Sequence, residues 1–593
     1  MNLERKLLAQ TTTEPASPED SGGGSLQAIG DLLTQPSMLG MFGLLGFVML
    51  MNALQNSKGD LASARWAKGG DKRRAMKRAR QQIASGKAND ACLWIGNSPE
   101  QSGLFQRSGV VVPDANQSAA ILGRPKSGKT FSAIDPMVRS AIEQGMSVVL
   151  YEYKADDDGR GGQMEFLATL AARHGYKLNV FAPGRDYSCT INPLDFIEDE
   201  ADDTTATVLA EVFHKNLKAD GGKSSDAFFS AAGQRLIQAL LQFAKSTKYP
   251  DLAMAFAVAR LPKLGERLQA ADDRGSLPMP VQIAFSQFMQ AAGAQKTASG
   301  IIATASDVLT RFMSSRILPS LLGETNVSLR LGRREMIVFQ SDIFRQDAIN
   351  PILAAIVTVV VNRNFSVQRE TPLVLSLDEF PTLVLPQAPT WPNEHRSKGF
   401  IGLFGFQSFP QVRERYGRER SDILLSGVGS HFWFNPGNHE TARALSQFLG
   451  EEEITLKQKS RSYSRGGSST STSEQTRTRA LMLPDEFLRF GTGECVVLNP
   501  AYRDKKASNL PQHFRQIEIP QSHIELVDEC EALWGSEVLP ALRAREQKRR
   551  PDLDLEAQLR LRFDEAERLL PMPDEDEDAS SQSEPAGATV PDF

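Results

Sequence analysis

Gly123-Arg124-Pro125-Lys126-Ser127-Gly128-Lys129-Thr130 fits the pattern GxxxxGK[ST], whose chemistry is phosphate binding. Its glycines let backbone N–H groups close around an anion, Lys129 brings charge to the β and γ oxygens, and the Thr130 hydroxyl suits a Mg2+ ligand. Alone the pattern is weak; its context strengthens it. Residues 118–122 read as a strand and 130–144 as a helix, so a helix N-terminus points at the phosphates. A second signal is Leu373-Val374-Leu375-Ser376-Leu377-Asp378-Glu379, an apolar strand ending in two carboxylates. There Asp378 would hold Mg2+ through water, and Glu379 would orient and deprotonate an attacking water. Such a string also describes any strand ending in solvated acids, and the phosphate loop upstream favours the chemical reading. A third strand, 400–404, ends near Gln407, whose amide suits a contact to the γ-phosphate or the attacking water. By itself a glutamine after a strand means nothing.

The elements that must hold these residues are legible as continuous apolar runs. Residues 118–122, 147–151, 177–181, 335–339, 373–377, 400–404, 431–434 and 494–498 do not alternate, as expected of strands buried on both faces of a mostly parallel sheet. Between 181 and 335 the runs 204–214, 227–244, 281–292 and 301–312 have helical spacing. The expected fold is α/β, with an all-helical insertion. Residues 456–479 are rich in Ser, Thr and Gly and basic, and read as a mobile loop. Its bases (Lys457, Lys459, Arg461, Arg465, Arg477, Arg479) could meet DNA or serve only as a solvated linker.

With 593 residues, 41% hydrophobic and 23% charged, the chain has globular composition, which excludes a mainly disordered chain, a fibre and a polytopic membrane protein. Four dispersed cysteines, without CxxC, argue against a disulfide framework and a structural zinc site. The net charge of −5 is unevenly spread: 571–593 hold seven acids and no base, and 57–80 hold nine Lys/Arg against two Asp. Residues 38–54 are apolar apart from Asn52, which suits either a short membrane-spanning helix or a buried core helix. The basic residues after the run place the N-terminus outside and the remainder in the cytoplasm under the positive-inside rule. The same bases could hold anionic lipid headgroups or DNA, with lipid favoured by their closeness to the run.

Read together, these signals resemble the type IV secretion coupling proteins of the TraG/TraD group. Further matching strings are Ala62-Ser63-Ala64-Arg65-Trp66-Ala67, Ile191-Asn192-Pro193-Leu194-Asp195, Leu377-Asp378-Glu379-Phe380, Gln407-Ser408 with Gln411 and Tyr416-Gly417, Glu440-Thr441-Ala442 with Leu449-Gly450, and Leu483-Pro484-Asp485-Glu486. They cover roughly 58–515. The resemblance implies a RecA-like P-loop ATPase domain (105–196 and 325–515) with a mostly parallel sheet and an inserted all-α domain (197–324). It also implies a membrane anchor (32–57) after a disordered N-terminus (1–31), a basic juxtamembrane segment (58–104), and a C-terminal helical stretch with an acidic tail (516–593). It implies ATP and Mg2+ as cofactors, a homohexamer, and a single-pass inner-membrane location with most of the chain cytoplasmic. Its partners would be single-stranded DNA with its relaxase, the secretion channel subunits, and a relaxosome accessory protein at the tail; the tail also reads as merely solubilising. Family comparison further suggests an arginine finger, for which Arg396 is the candidate. Two departures stand out: one candidate span where the family usually has two, and Glu152-Tyr153-Lys154 where it tends to have Asp-Pro-Lys-Gly.

Three other functions fit part of the pattern: an effector-protein coupling ATPase, a double-stranded DNA pump, and a non-hydrolysing recruitment platform. Intact Lys129, Thr130, Asp378, Glu379 and Gln407 argue against the platform. No residue identifies the cargo.

Overall fold

The computed structural model describes residues 64–100, 109–154, 162–218, 227–464, 467–503, 511–549 and 553–573. Its strands are β1 Leu93–Ile95, β2 Val110–Val112, β3 Ala119–Leu122, β4 Ser147–Glu152, β5 Lys177–Phe181, β6 Glu335–Gln340, β7 Leu373–Leu377, β8 Phe400–Phe406, β9 Ser430–Trp433, β10 Glu451–Ser464, β11 Gly467–Ala480, β12 Glu494–Leu498 and β13 His513–Gln516. Nine of them form one sheet in the order β13-β12-β9-β3-β8-β7-β4-β6-β5. From β9 to β5 every pairing is parallel; β12 and β13 add an antiparallel edge. Helices cover both faces. Along β3, Ala120 and Leu122 enter one apolar core while Ala119 and Ile121 enter the other, the two-residue alternation of a strand buried on both sides.

Between β5 and β6 the described chain is helical, running through Asp203–Lys218, Ala227–Lys245, Leu252–Ala259, Leu264–Asp273, Met279–Ala292 and Gln295–Phe312. These helices share the first core with the apolar helix Gln346–Asn364. On the second face lie Asp135–Glu143 and Gln163–Arg173, the latter covered by the C-terminal helix Gln521–Leu533, where Phe166 and His523 meet with ring centroids 5.9 Å apart. The last helix, Leu555–Leu569, returns to the inserted helices through a buried pair in which Arg562 Nη2 lies 2.6 Å from Asp251 Oδ2.

Four features differ from the sequence reading. The helix after the phosphate loop opens with a wide π-type turn, Lys129–Ile134, before regular α-helix begins at Asp135. Residues 456–479 fall on β10 and β11, which pair as a two-stranded ribbon rather than a loop; their Thr and Ser are β-compatible, and Lys457 pairs with Glu474 across the ribbon at 2.9 Å. The sequence reading does not include the short pair β1–β2, although residues 91–95 and 110–112 are apolar, nor the edge strand β13, which has no apolar run. Part of the basic segment is neutralised internally. Asp71 binds Arg65 and Arg74, while Arg78 lies 2.6 Å from Asp90 and 2.9 Å from Asp114. Among the described residues no helix is long and apolar enough to cross a membrane. The run 38–54, the N-terminus 1–31 and the tail 574–593 lie outside them.

Candidate functional site

Strand order brings the chemistry together. β3, β8, β7 and β4 are neighbours, and the register sets Leu122 beside Phe406, Phe404 beside Leu377, and Leu377 beside Tyr151. The residues that follow these ends therefore emerge at one edge: the loop Gly123–Thr130, Gln407, Asp378 with Glu379, and Tyr153 with Lys154. All of these but Ser127 and Asp378 line a cavity of about 310 Å³ together with Phe131, and Asp378 is bonded to the lining residues Lys129 and Thr130. That is the crevice at the carboxyl ends of parallel strands where α/β sheets bind ligands.

At its floor Lys129 Nζ lies 2.6 Å from Asp378 Oδ1 and 3.1 Å from Glu379 Oε2. The Thr130 hydroxyl donates to Asp378 Oδ2. All three charged groups are nearly buried, Lys129 at 6%, Asp378 at 2% and Glu379 at 3% exposure. Burial opposes the Lys129 charge, but the two carboxylates outweigh it and raise its pKa above the ordinary lysine value. Burial likewise opposes ionisation of Asp378, and the Lys129 charge and hydrogen bonds hold its pKa below the usual carboxylate value. Glu379 accepts hydrogen bonds from Gln407 Nε2 at 2.6 Å and Gln411 Nε2 at 3.2 Å, so both its oxygens are held. Its φ of +67° is a left-handed conformation uncommon for a non-glycine residue, fixed by Thr382, whose Oγ1 donates to the Glu379 carbonyl at 2.8 Å.

The residues fit a magnesium nucleotide. Ser127 Oγ is buried without a hydrogen-bond partner inside the loop, an orphan that a bound phosphate would satisfy. Gly128, at φ +96°, carries the loop past Gly493, whose N–H donates to the Ser127 carbonyl at 2.9 Å; a Cβ there would meet Gly493 N at 2.9 Å. Thr130 and Asp378 stand together as a hydroxyl–carboxylate pair for Mg2+.

Sequence reasoning missed several supports. Gly405 on β8 leaves room for the Asp378 carboxylate, since a Cβ there would sit 2.8 Å from Oδ1. Glu152 is buried, and its carboxylate accepts the backbone N–H of Lys154 at 2.8 Å and of Gln163 at 2.5 Å, tying the end of β4 to the helix Gln163–Arg173. Burial pushes its pKa up to about 7. Lys154 Nζ then stands 4.0 Å from Asp378 Oδ2. An acid and a base two residues apart were visible in the sequence, but their roles depend on β4 lying next to β7. Arg396 is not brought to the cavity. It lies in a short turn, Arg396–Lys398, before β8, and the length of that strand separates it from Gln407 by roughly 23 Å.

Residues 372–491 match the family model described as the TraM recognition site of TraD and TraG. "Conjugal transfer protein TraG" of Rhizobium radiobacter is 31% identical over 161 residues, 26% of this chain and 25% of that protein. The protein of the same name from Agrobacterium fabrum strain C58 is 30% identical over 163 residues, 26% of this chain and 24% of that one. Over residues 372–491 the chain is similar to the TraG/TraD family. The chain spans about a quarter of the length of these curated relatives; the family-model match holds Asp378, Glu379, Arg396 and Gln407, and the phosphate loop lies upstream of it. Among solved structures, the chain is similar to the plasmid coupling protein TrwB in complex with ADPNP, with TM-score 0.53, 17% identity, and 78% of this chain and 95% of that one covered. TrwB in complex with ADP and Mg2+ gives TM-score 0.54 and 16% identity over 78% and 95% of the two chains. At such identities the likeness establishes the fold, RecA-like with an all-α domain.

Proposed function

We propose that this protein is a membrane-anchored coupling ATPase that drives a relaxase–single-stranded DNA complex into a type IV secretion channel. The observation that carries the reading is the convergence of Lys129, Thr130, Glu379 and Gln407 on one cavity at adjacent strand ends, with Asp378 bonded to Lys129 and Thr130. A recruitment platform has no need of a clamped carboxylate, and here Glu379 is held by two glutamines and a lysine. Within the site Lys129 supplies charge to the ATP phosphates, which compete for it with Asp378 and Glu379. Glu379, aimed by Gln407 and Gln411, accepts the proton of a water. Bound Mg2+, held by Thr130 and through water by Asp378, would neutralise the phosphate charge. Conjugal transfer in the named relatives and the plasmid coupling role of TrwB support the DNA cargo.

We propose a nucleotide-binding domain of 105–196 and 325–515, an inserted domain of 197–324, and a single inner-membrane anchor at 32–57 with the bulk cytoplasmic. The acidic tail recruits an accessory protein of the relaxosome. Since Arg396 lies at the opposite end of β8 from its own cavity, it serves as a finger only for a neighbouring subunit, which makes the working form an oligomer, a homohexamer by analogy. The test is ATP hydrolysis by the full chain, with and without single-stranded DNA, across a dilution series. Turnover should rise with DNA and with protein concentration and fall on Arg396→Ala. Hydrolysis that ignores DNA but responds to a secreted protein would replace the cargo, and turnover independent of concentration and of Arg396 would remove the shared site.

A further inference from the structure

The helix Gly69–Ser85 buries Asp71, Ala75, Ala79 and Gln82 along one side. Arg73, Lys77 and Arg80, at i, i+4 and i+7, share the opposite, exposed side. The helix contains no acid except the buried Asp71, so this stripe faces solvent with like charges side by side. Such an arrangement is unfavourable until a polyanion neutralises it.

Where the helix lies narrows the partner. Just before it, Trp66 bridges to Gln512, which precedes β13. Just after it, Ala88 packs where a Cβ on Gly399 would touch it at 3.2 Å, one residue before β8 begins. The helix therefore crosses the N-terminal ends of the parallel strands, at the far end of the sheet from the phosphate loop. Arg333, in the turn leading into β6, faces the same end, where it lines a cavity of about 860 Å³ with Gln82, Lys87 and the acids Asp90, Glu100, Glu143 and Glu370. Only residues 55–68 separate the helix from the apolar run ending at Leu54, so it begins at most about 50 Å of extended chain from that run.

We infer that the stripe Arg73–Lys77–Arg80 docks on the anionic headgroups of the bilayer in which residues 32–57 are anchored, setting the nucleotide site on the side of the domain away from the membrane. Charge complementarity selects a polyanion, and the length of the connecting chain selects the membrane over nucleic acid. The inference rests on the anchor reading, and its test separates the two.

The four cysteines are buried, so a fluorophore can be attached selectively at Gln81→Cys, on the exposed side of the helix. The labelled full chain is mixed with vesicles of phosphatidylcholine, alone or with phosphatidylglycerol, carrying an energy-transfer acceptor on the headgroups. Transfer is expected to be strong with phosphatidylglycerol, weak without it, and lost as salt rises. Each basic residue near an anionic surface changes the docked-to-undocked ratio about five-fold, so Arg73→Glu, Lys77→Glu and Arg80→Glu together should lower it about a hundredfold or more. A charge-keeping control, Arg73→Lys with Arg80→Lys, should retain transfer, and unchanged circular dichroism confirms that the variants fold. Equal transfer in both vesicle types, or an unaffected triple variant, overturns the docking. So does protection of the label by single-stranded DNA with indifference to phosphatidylglycerol. Flotation separates the readings: a chain that floats only with anionic vesicles loses the anchor and keeps the docking, whereas one that floats equally with both and shows equal transfer loses the docking alone.

Discussion

Removing Lys129 tests the electrostatic design of the site before any nucleotide is added. Its ammonium pairs with two carboxylates at 2.6 and 3.1 Å, and all three groups are nearly out of water. Lys129→Ala leaves Asp378 and Glu379 buried beside each other, with Lys154 the nearest replacement at 4.0 Å from Asp378. Breaking a buried pair by deleting one partner costs about 3–5 kcal/mol. Approach of Lys154 and protonation of Asp378 recover part of that, so the expected loss is about 3 kcal/mol, a fall in Tm of about 6–12 °C for a domain of this size. The pH window follows from the two shifts. The depressed Asp378 contribution is present above its unfolded pKa and lost as pH falls through its lower folded value. The raised Lys129 contribution is present below 10.5 and lost as pH rises through the folded value. The deficit should therefore be full from about pH 5 to pH 10 and shrink at more acid pH. The assay is nucleotide-free thermal unfolding of wild type, Lys129→Ala, Asp378→Asn with Glu379→Gln, and the triple variant. In the neutralised background, loss of Lys129 should cost under about 1 kcal/mol. Equal Tm values for wild type and Lys129→Ala at pH 7.5 would refute the reasoning, as would an equal loss in both backgrounds.

Glu379→Gln should keep ATP affinity and lower turnover by about 10²–10⁴, read by equilibrium binding and phosphate release, because only proton acceptance is removed; near-normal turnover would reassign the base. Gly405→Ala should weaken Mg2+-dependent nucleotide binding without preventing folding, since its Cβ would stand 2.8 Å from Asp378 Oδ1; titration calorimetry checks it. Burial lowers the pKa of His431 to about 4, so the folded chain resists a proton that the unfolded chain accepts, and stability is lost as pH falls from about 6.5 toward 4. His431→Phe should therefore gain up to about 2 kcal/mol on wild type between pH 7 and 5, measured as the difference in the pH dependence of Tm. Arg562→Ala should leave Asp251 buried and unpaired, costing about 3–5 kcal/mol locally and raising amide exchange across Leu555–Leu569 and Leu252–Ala259.

What the sequence determined by itself was local. Ser118 to Thr130 declares a strand, a loop that must admit backbone N–H groups to an anion, and a helix, because glycine and lysine spacing is a short-range property. Residues 373–379 declare a strand and two carboxylates for the same reason, and continuous apolar runs told of a sheet buried on both faces. Only the tertiary structure decided that β8 lies between β3 and β7. That order places Gln407 and Gly405 against Asp378 and Glu379, and strand order is set by long-range packing that no window of sequence contains. It also decided that Glu152 fastens Lys154 near the site, that Arg396 stands at the far end of its strand, and that residues 456–479 pair as a ribbon. In that ribbon hydrogen bonding between two polar runs supplies order that apolar periodicity could not announce. The basic stretch 57–80 shows the division plainly. Composition gave its charge, but only the fold shows which bases Asp71, Asp90 and Asp114 neutralise and which remain in a row on the outer side of a helix.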